Sequence, residues 1–273
     1  MAKITEIKKL KRLYSVKFDE QIEDADGELL DKIYVTEDTI VKFMLSKGLD
    51  IDAAKAQKII KFSDYSRGKN LAIYYISFKM RSRGEVAKYL TEHEIPETNI
   101  PQILTELEQI GLINDEKLVE NFLEVRISGG QNGPYNLRQK LQKKEIDPDL
   151  VSEKLQQFYD SDKQLEAAIK LAEKQVRAKS ARLPLKQLKI KIAQSLVGKG
   201  FSYETASNAV ESLELEPDEE NEQELLETEA EKAYTRLSKR YEGYDLKNRV
   251  SQTLGRKGFD WSAISDVLRD YDF

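Results

Sequence analysis

The chain repeats itself. Leucines at positions 90, 141, 196 and 254 stand 51, 55 and 58 residues apart, and each sits inside the same pattern of apolar positions. Counting from the leucine as zero, position −4 holds Val86, Leu137, Ile192 and Val250, and position +5 holds Ile95, Ile146, Phe201 and Phe259. Position +10 holds Ile100, Val151, Ala206 and Ile264, and position +14 holds Leu104, Leu155, Val210 and Leu268. Position +17 holds Leu107, Phe158, Leu213 and Tyr271. A pattern kept apolar through four copies at a near-constant period is the mark of a structural repeat.

The spacing says what the unit is. Residues four apart share a helix face, so positions −4 and 0 define one helix and +10, +14 and +17 define another. Upstream of each pair lies a further helical run: NLAIYYISFKM, EKLVENFLEVRI, QLEAAIKLAEKQV and EAEKAYTRLSKRY. Each unit is therefore predicted to be three helices. One such unit buries little alone, whereas stacked units share a continuous core. The expected fold is mainly α, with tandem three-helix repeats stacked into an elongated, curved array. The expected divisions are 1–62, 63–113, 114–160, 161–216 and 217–273.

The linkers and punctuation agree. SGGQNGP joins the first two helices of the second unit and places Pro134 at a first helical position, where its missing N–H costs nothing. KSARLP and EGYD serve the same junction in units three and four. The related stretches LVGKGFSYETA and LGRKGFDWSAI read as helix endings. Gly258 suits the left-handed residue just past a helix, and Phe259 then packs back on Leu254. Asp260, Ser202 and Asp147 are placed to cap the following helix, whereas Pro96 in the first copy has no capping side chain.

Before residue 63 the pattern changes. YSVKF alternates in strand fashion, DADG is a turn signal, and ELLDKIYV reads as the returning strand, which predicts a small β-hairpin. TEDTIVKFMLSKGLDIDAAKAQKII reads as two helices broken at Gly48, and its Lys47-Gly48-Leu49 echoes the repeat junction as a degenerate half-unit would.

Composition narrows the chemistry. There is no cysteine, which excludes thiolate catalysis, disulfides and cysteine-ligated zinc. No run approaches the ~18 apolar residues of a membrane span. The start, MAKITEIKKLKRLY, lacks the apolar block of a signal peptide, so a cytoplasmic protein is expected. From Glu211 to Glu231 the chain has eleven acids and no Lys or Arg; without them the formal charge of −5 becomes +6 for the remaining body. A basic body attracts phosphates or an acidic protein surface.

No enzyme site assembles. His93 is the lone histidine, without a second for a metal pair or a proton relay. It occupies position +3, where the other copies carry Lys144, Lys199 and Lys257, as suits a cation beside terminal helix carbonyls. No Walker-type loop occurs. Asp115 with Glu116, and Asp147 with Asp149, read as helix N-terminal groups. Gly130-Gln131-Asn132-Gly133 matches the Gly-x-x-Gly of KH domains but lacks their alternating helices and strands, so it reads as a turn. Basic clusters lie on or beside the middle helix of every unit and carry the candidate partner contacts: Arg81, Arg83, Arg138, Lys143, Lys144, Lys189 and Lys247. A stripe of such groups tracks phosphates or meets an acidic partner.

YISFKMRSRGEVAKYL, LEQIGLINDEKLVENFLEVR and GPYNLRQKLQKKEIDPDLV together resemble the RecX family of RecA regulators. The resemblance rests on Arg81-Ser82 with Glu85, on Gly111 through Glu116, and on the four Leu-anchored helix ends. It covers about Asn70 to Asp160, and the repeats extend it to Phe273. Departures are Asn114 in place of the first junction Asp, Glu94 and Glu145 where later copies have Gly200 and Gly258, and Gly84 in a helix start. The resemblance implies a monomeric, non-enzymatic protein without cofactor or metal that binds the RecA filament, with single- or double-stranded DNA as a further partner. It also implies restraint of the filament's ATPase and strand exchange. The rival expectation is a direct DNA-binding protein whose three-helix units act like helix-turn-helix modules.

Overall fold

A computed structural model describes residues 1–24 and 27–273; Ala25 and Asp26 of the expected turn lie outside the described residues. The amino-terminal region is a four-stranded antiparallel sheet rather than a lone hairpin. Strands β1 (Ala2–Lys9), β2 (Tyr14–Glu23), β3 (Leu29–Val35) and the short β4 (Asp50–Ile51) pair in the order β3-β2-β1-β4. β2 and β3 are the expected hairpin. β1 was not read from the sequence, because only Ala2 and Ile4 alternate cleanly with Lys3 and Thr5 before a register shift between Ile4 and Glu6 breaks the period.

Helix α1 (Glu37–Phe43) is capped by the Thr36 hydroxyl, which accepts from the Thr39 N–H. It ends at Met44, whose φ of +50° closes the last turn, four residues before the expected break at Gly48. Gly48 instead turns the chain at φ +86°, and its N–H donates to the Ile4 carbonyl at 2.8 Å. Lys47-Gly48-Leu49 is thus a loop tied to the sheet, and the half-unit reading is corrected. Helix α2 (Ala53–Ser77) then runs unbroken for 25 residues. Its first half sends Ala56 and Ile59 into the sheet core, and its second half sends Ala72 into the core of α3 (Arg83–Glu92) and α4 (Ile100–Gln109). The proposed division near residue 62 therefore falls inside a helix, at the point where its packing partner changes.

The remaining helices follow in threes: α5 (Asp115–Ser128), α6 (Pro134–Gln142) and α7 (Pro148–Phe158); α8 (Ser161–Lys179), α9 (Leu185–Gly198) and α10 (Tyr203–Glu211); α11 (Glu219–Leu237), α12 (Gly243–Arg256) and α13 (Trp261–Val267). Positions −4, 0, +5, +10 and +14 are buried in all four copies. Position +17 is buried only at Leu107; Phe158, Leu213 and Tyr271 are half-buried. The cause is helix length: α4 runs past Leu107, whereas α7 ends at Phe158 and α10 and α13 end before position +17. Asp218 caps α11, three glutamates fill its first turn and Arg236 its last, the polarity that its dipole favours.

The chain forms two compact units, residues 1–119 with 142–148, and residues 120–141 with 149–273.

Candidate partner surface

In every copy the middle helix ends on a left-handed residue at position +4, with φ of +56° at Glu94 and Glu145, +93° at Gly200 and +94° at Gly258. His93, Lys199 and Lys257 at position +3 are the C-cap residues. His93 fits that duty. Its Nδ1 lies 2.8 Å from the Tyr89 carbonyl, and its ring rests against Tyr89 at 4.1 Å.

These helix ends are also docking seats. Within the first compact unit, the Ser82 hydroxyl at the start of α3 donates to the Lys144 carbonyl. A Cβ on Gly84 would collide with the Cβ and carbonyl of Glu145, so this glycine allows the close approach and does not mark a weak helix start. Within the second unit, the Gly133 N–H donates to the Lys199 carbonyl at 2.8 Å, and the Tyr135 N–H to the Gly200 carbonyl at 3.1 Å. The Asn136 amide adds a bond to the Gly198 carbonyl at 3.3 Å, and the Gln187 amide reaches the Arg256 carbonyl at 3.2 Å. The start of one middle helix thus meets the end of the next copy's middle helix. Orphan donors and orphan carbonyls satisfy each other, and opposite dipole ends face. The Gly130–Gly133 loop serves this seam, and the buried Tyr159 hydroxyl holds it through the Asn132 carbonyl at 3.2 Å. Burial pushes that phenol up to about 12.

Three of the seven candidate cations belong to the seam of the first unit. Ser82 and Glu85 form a capping box at the start of α3. Arg81 lies 3.4 Å from the Glu85 carboxylate and 3.9 Å over the Tyr75 ring, with its side chain only 16% exposed. Lys144 approaches the same carboxylate at 3.4 Å. Arg83 pairs with Glu108, and its N–H donates to the Asp115 carboxylate at 2.8 Å. Burial alone would raise Glu85, yet the Ser82 N–H, the Lys144 ammonium and the Arg81 guanidinium hold it below its ordinary value. For Asp115 burial dominates and pushes the carboxyl up, against the Arg83 N–H. Asn114 keeps the cap of α5, accepting from the Lys117 N–H at 2.8 Å.

The other four are available. Arg138, Lys143 and Lys247 are exposed and Lys189 is half-buried. None makes an ion pair among the described residues; Lys247 rests 5.6 Å over the Phe273 ring. Sequence reasoning passed over four aromatic side chains: Tyr135, Tyr203, Tyr244 and Trp261 are 60–81% exposed. Tyr203 and Trp261 share position +7, and that coincidence was a signal open to the sequence. Tyr, Trp and Arg are the residue types enriched at binding surfaces and their energetic centres. Among the described residues no group of His, Asp and Glu gathers to hold a metal, and no helix is long and apolar enough to cross a membrane.

The family profile described as "RecX, third three-helix domain" matches residues 162–210 and again 219–268, and "RecX, first three-helix domain" matches 69–107. Over 274 aligned residues the chain is 52% identical to a regulatory protein RecX of Lactococcus lactis subsp. lactis, covering 100% of this chain and 99% of that relative. It is 44% identical to the regulatory protein RecX of Streptococcus gordonii, covering 98% and 99%. Among solved structures, a crystal structure of regulatory protein RecX superposes with a TM-score of 0.57 at 28% identity, covering 75% of this chain and 97% of that one. RecX from Lactobacillus salivarius superposes with a TM-score of 0.52 at 33% identity, covering 56% and 98%.

Proposed function

The chain belongs to the RecX family of regulatory proteins, and from that premise we propose that it binds the RecA recombinase filament on DNA and restrains its ATP hydrolysis and strand exchange. It acts in this reading as a cytoplasmic, monomeric regulator of recombination and DNA repair with no chemistry of its own. The observation that carries the reading is the 52% identity, over the whole chain, to a regulatory protein RecX.

The side chains support it. Arg138, Lys143, Lys189 and Lys247 are left without carboxylate partners, and a protein that lies on a nucleoprotein filament needs such groups against phosphate or acidic surface. Arg81, Arg83 and Lys144 act behind them, holding the repeats of the first unit in register. The divisions 114–160, 161–216 and 217–273 are then successive modules that present these contacts, and 63–113 supplies the seam residues Arg81 and Arg83.

The test is ATP hydrolysis by a RecA recombinase on single-stranded DNA, with this protein added from sub-stoichiometric to equimolar amounts. Hydrolysis and strand exchange are expected to fall. The combined reversal of Arg138, Lys143, Lys189 and Lys247 to Glu should raise the amount required by about tenfold, since several charge contacts are lost together. Unchanged hydrolysis sinks the reading. Tight binding to naked DNA with a steep salt slope, and no effect on RecA, replaces it with direct DNA binding.

A further inference from the structure

Inside the first compact unit, between α1, α2 and the start of α4, lies an open cleft of about 830 Å³. None of the cations assigned above lines it, and its α1 and early α2 walls precede residue 69, where the matches to the family profiles begin. Lys58, Lys61, Phe62 and Tyr65 line it from one face of α2, at the three- and four-residue spacing that keeps helical side chains together.

Both acids of the cleft are already engaged. The Glu106 carboxylate accepts from the Tyr65 hydroxyl and the Lys69 ammonium, and Asp38 accepts from the Ser66 hydroxyl at 2.9 Å. Lys42, Lys58 and Lys61 make no ion pair among the described residues, and Lys42 sits 3.7 Å over the Phe62 ring. The cleft therefore offers uncompensated positive charge beside aromatic faces.

Asn99 supplies the independent observation. It is 5% exposed and lines the cleft, and its backbone is fully used: its N–H donates to Pro96 and its carbonyl accepts from Ile103. Its carboxamide has no hydrogen-bond partner among the described residues, and it stands at the N-cap of α4 without capping it. Neither amide atom is taken by the protein, so both are left to meet a ligand in the cleft that the residue lines. An amide that both donates and accepts matches the edge of a nucleobase. Tyr65 lies one to two turns from Lys61 and Lys58, roughly 6–10 Å along the helix axis, the span of a nucleotide from base to phosphate.

We propose that this cleft binds a free nucleoside phosphate, with the base against Phe62 and Tyr65, its edge on the Asn99 amide, and its phosphates on Lys58 and Lys61. The volume is that of a small-molecule site. The inference goes beyond the regulatory reading, and its test contains no RecA, so the two stand or fall separately.

The experiment is isothermal titration calorimetry of the full chain with each of the four common ribonucleoside diphosphates, with pyrophosphate and with a short oligothymidylate. At least one diphosphate should bind saturably. Lys58→Glu with Lys61→Glu, both exposed and harmless to folding, should weaken it by about tenfold or more, the scale expected when two phosphate contacts are lost. Asn99→Leu should remove binding while keeping the melting temperature. Three results overturn the proposal: no binding heat with any diphosphate up to millimolar concentration, equal binding of pyrophosphate, or variant-sensitive binding of the oligothymidylate alone. The second reduces the cleft to a phosphate trap, and the third assigns it to a strand.

Discussion

Repeats one and two end their middle helices on glutamate, repeats three and four on glycine, yet all four residues take a left-handed backbone. The difference lies in what stands opposite. A Cβ on Gly200 would come within 2.6 Å of the Asn136 backbone nitrogen, and one on Gly258 within 2.7 Å of the Gln187 Cγ. At Glu145 the Cβ is present, and the residue facing it, Gly84, is the one that lacks it. At Glu94 the residue opposite is Arg67 of α2, whose guanidinium donates to the Glu94 carbonyl at 3.2 Å. Where successive middle helices meet, each seam holds at least one residue without a Cβ: Gly84, Gly133 with Gly200, and Gly258.

The two glycine seams separate strain from crowding. Gly200→Val adds a β-branched side chain at positive φ, about 1–2 kcal/mol, and drives it into backbone, a further ~1–3 kcal/mol. Gly258→Val meets first the Cγ of a flexible glutamine, so it should cost about 2 kcal/mol, still above the ~1 kcal/mol of ordinary helix propensity. Chemical denaturation followed by circular dichroism measures both. Equal losses would mean that the facing residue is irrelevant, and a neutral Gly258→Val would remove the left-handed cap altogether.

The first-unit seam differs again because it is ionic. Glu85→Gln should cost about 2 kcal/mol at pH 7, the scale of hydrogen bonds to a charged group. The Glu85 carboxyl is held below its ordinary value in the fold. Its contribution is therefore complete above the unfolded carboxylate value of about 4.3 and is lost as pH falls through the lower folded value. The stability gap between wild type and Glu85→Gln should shrink below about pH 4. A gap that stays constant down to strong acid would show that the carboxylate's charge plays no part.

Much of the fold was open to reading because a repeat multiplies its own signal. One copy with Leu196 and Gly200 is weak evidence, whereas five positions buried four times over are not coincidence. The helix ends were legible for the same reason, down to Ser202 and Asp260 as caps. Strand β1 was not, since a bulge and four lysines within Ala2–Lys9 and its flank hide its alternation and it has no second copy. The surface was only half legible. Charge type is visible in a sequence, but whether Arg81 faces solvent or Glu85 depends on residues elsewhere in the chain, and so does the unpartnered amide of Asn99.

The smallest effect tests the comparison most directly. Gly84→Ala places a methyl group against Glu145 and should cost about 2 kcal/mol by overpacking. Glu145→Gly alone relieves a left-handed non-glycine residue and should stabilise by about 0.5–1 kcal/mol. If a seam needs only one residue without a Cβ, the two changes together move the glycine across the seam and recover part of the loss. The double-mutant cycle should then show a coupling of about 1 kcal/mol, with the remainder left because the carbonyl of residue 145 still crowds the new methyl. Strict additivity would mean that the backbone approach alone sets the cost, and that the exchange of Glu145 for glycine between early and late repeats has no bearing on docking.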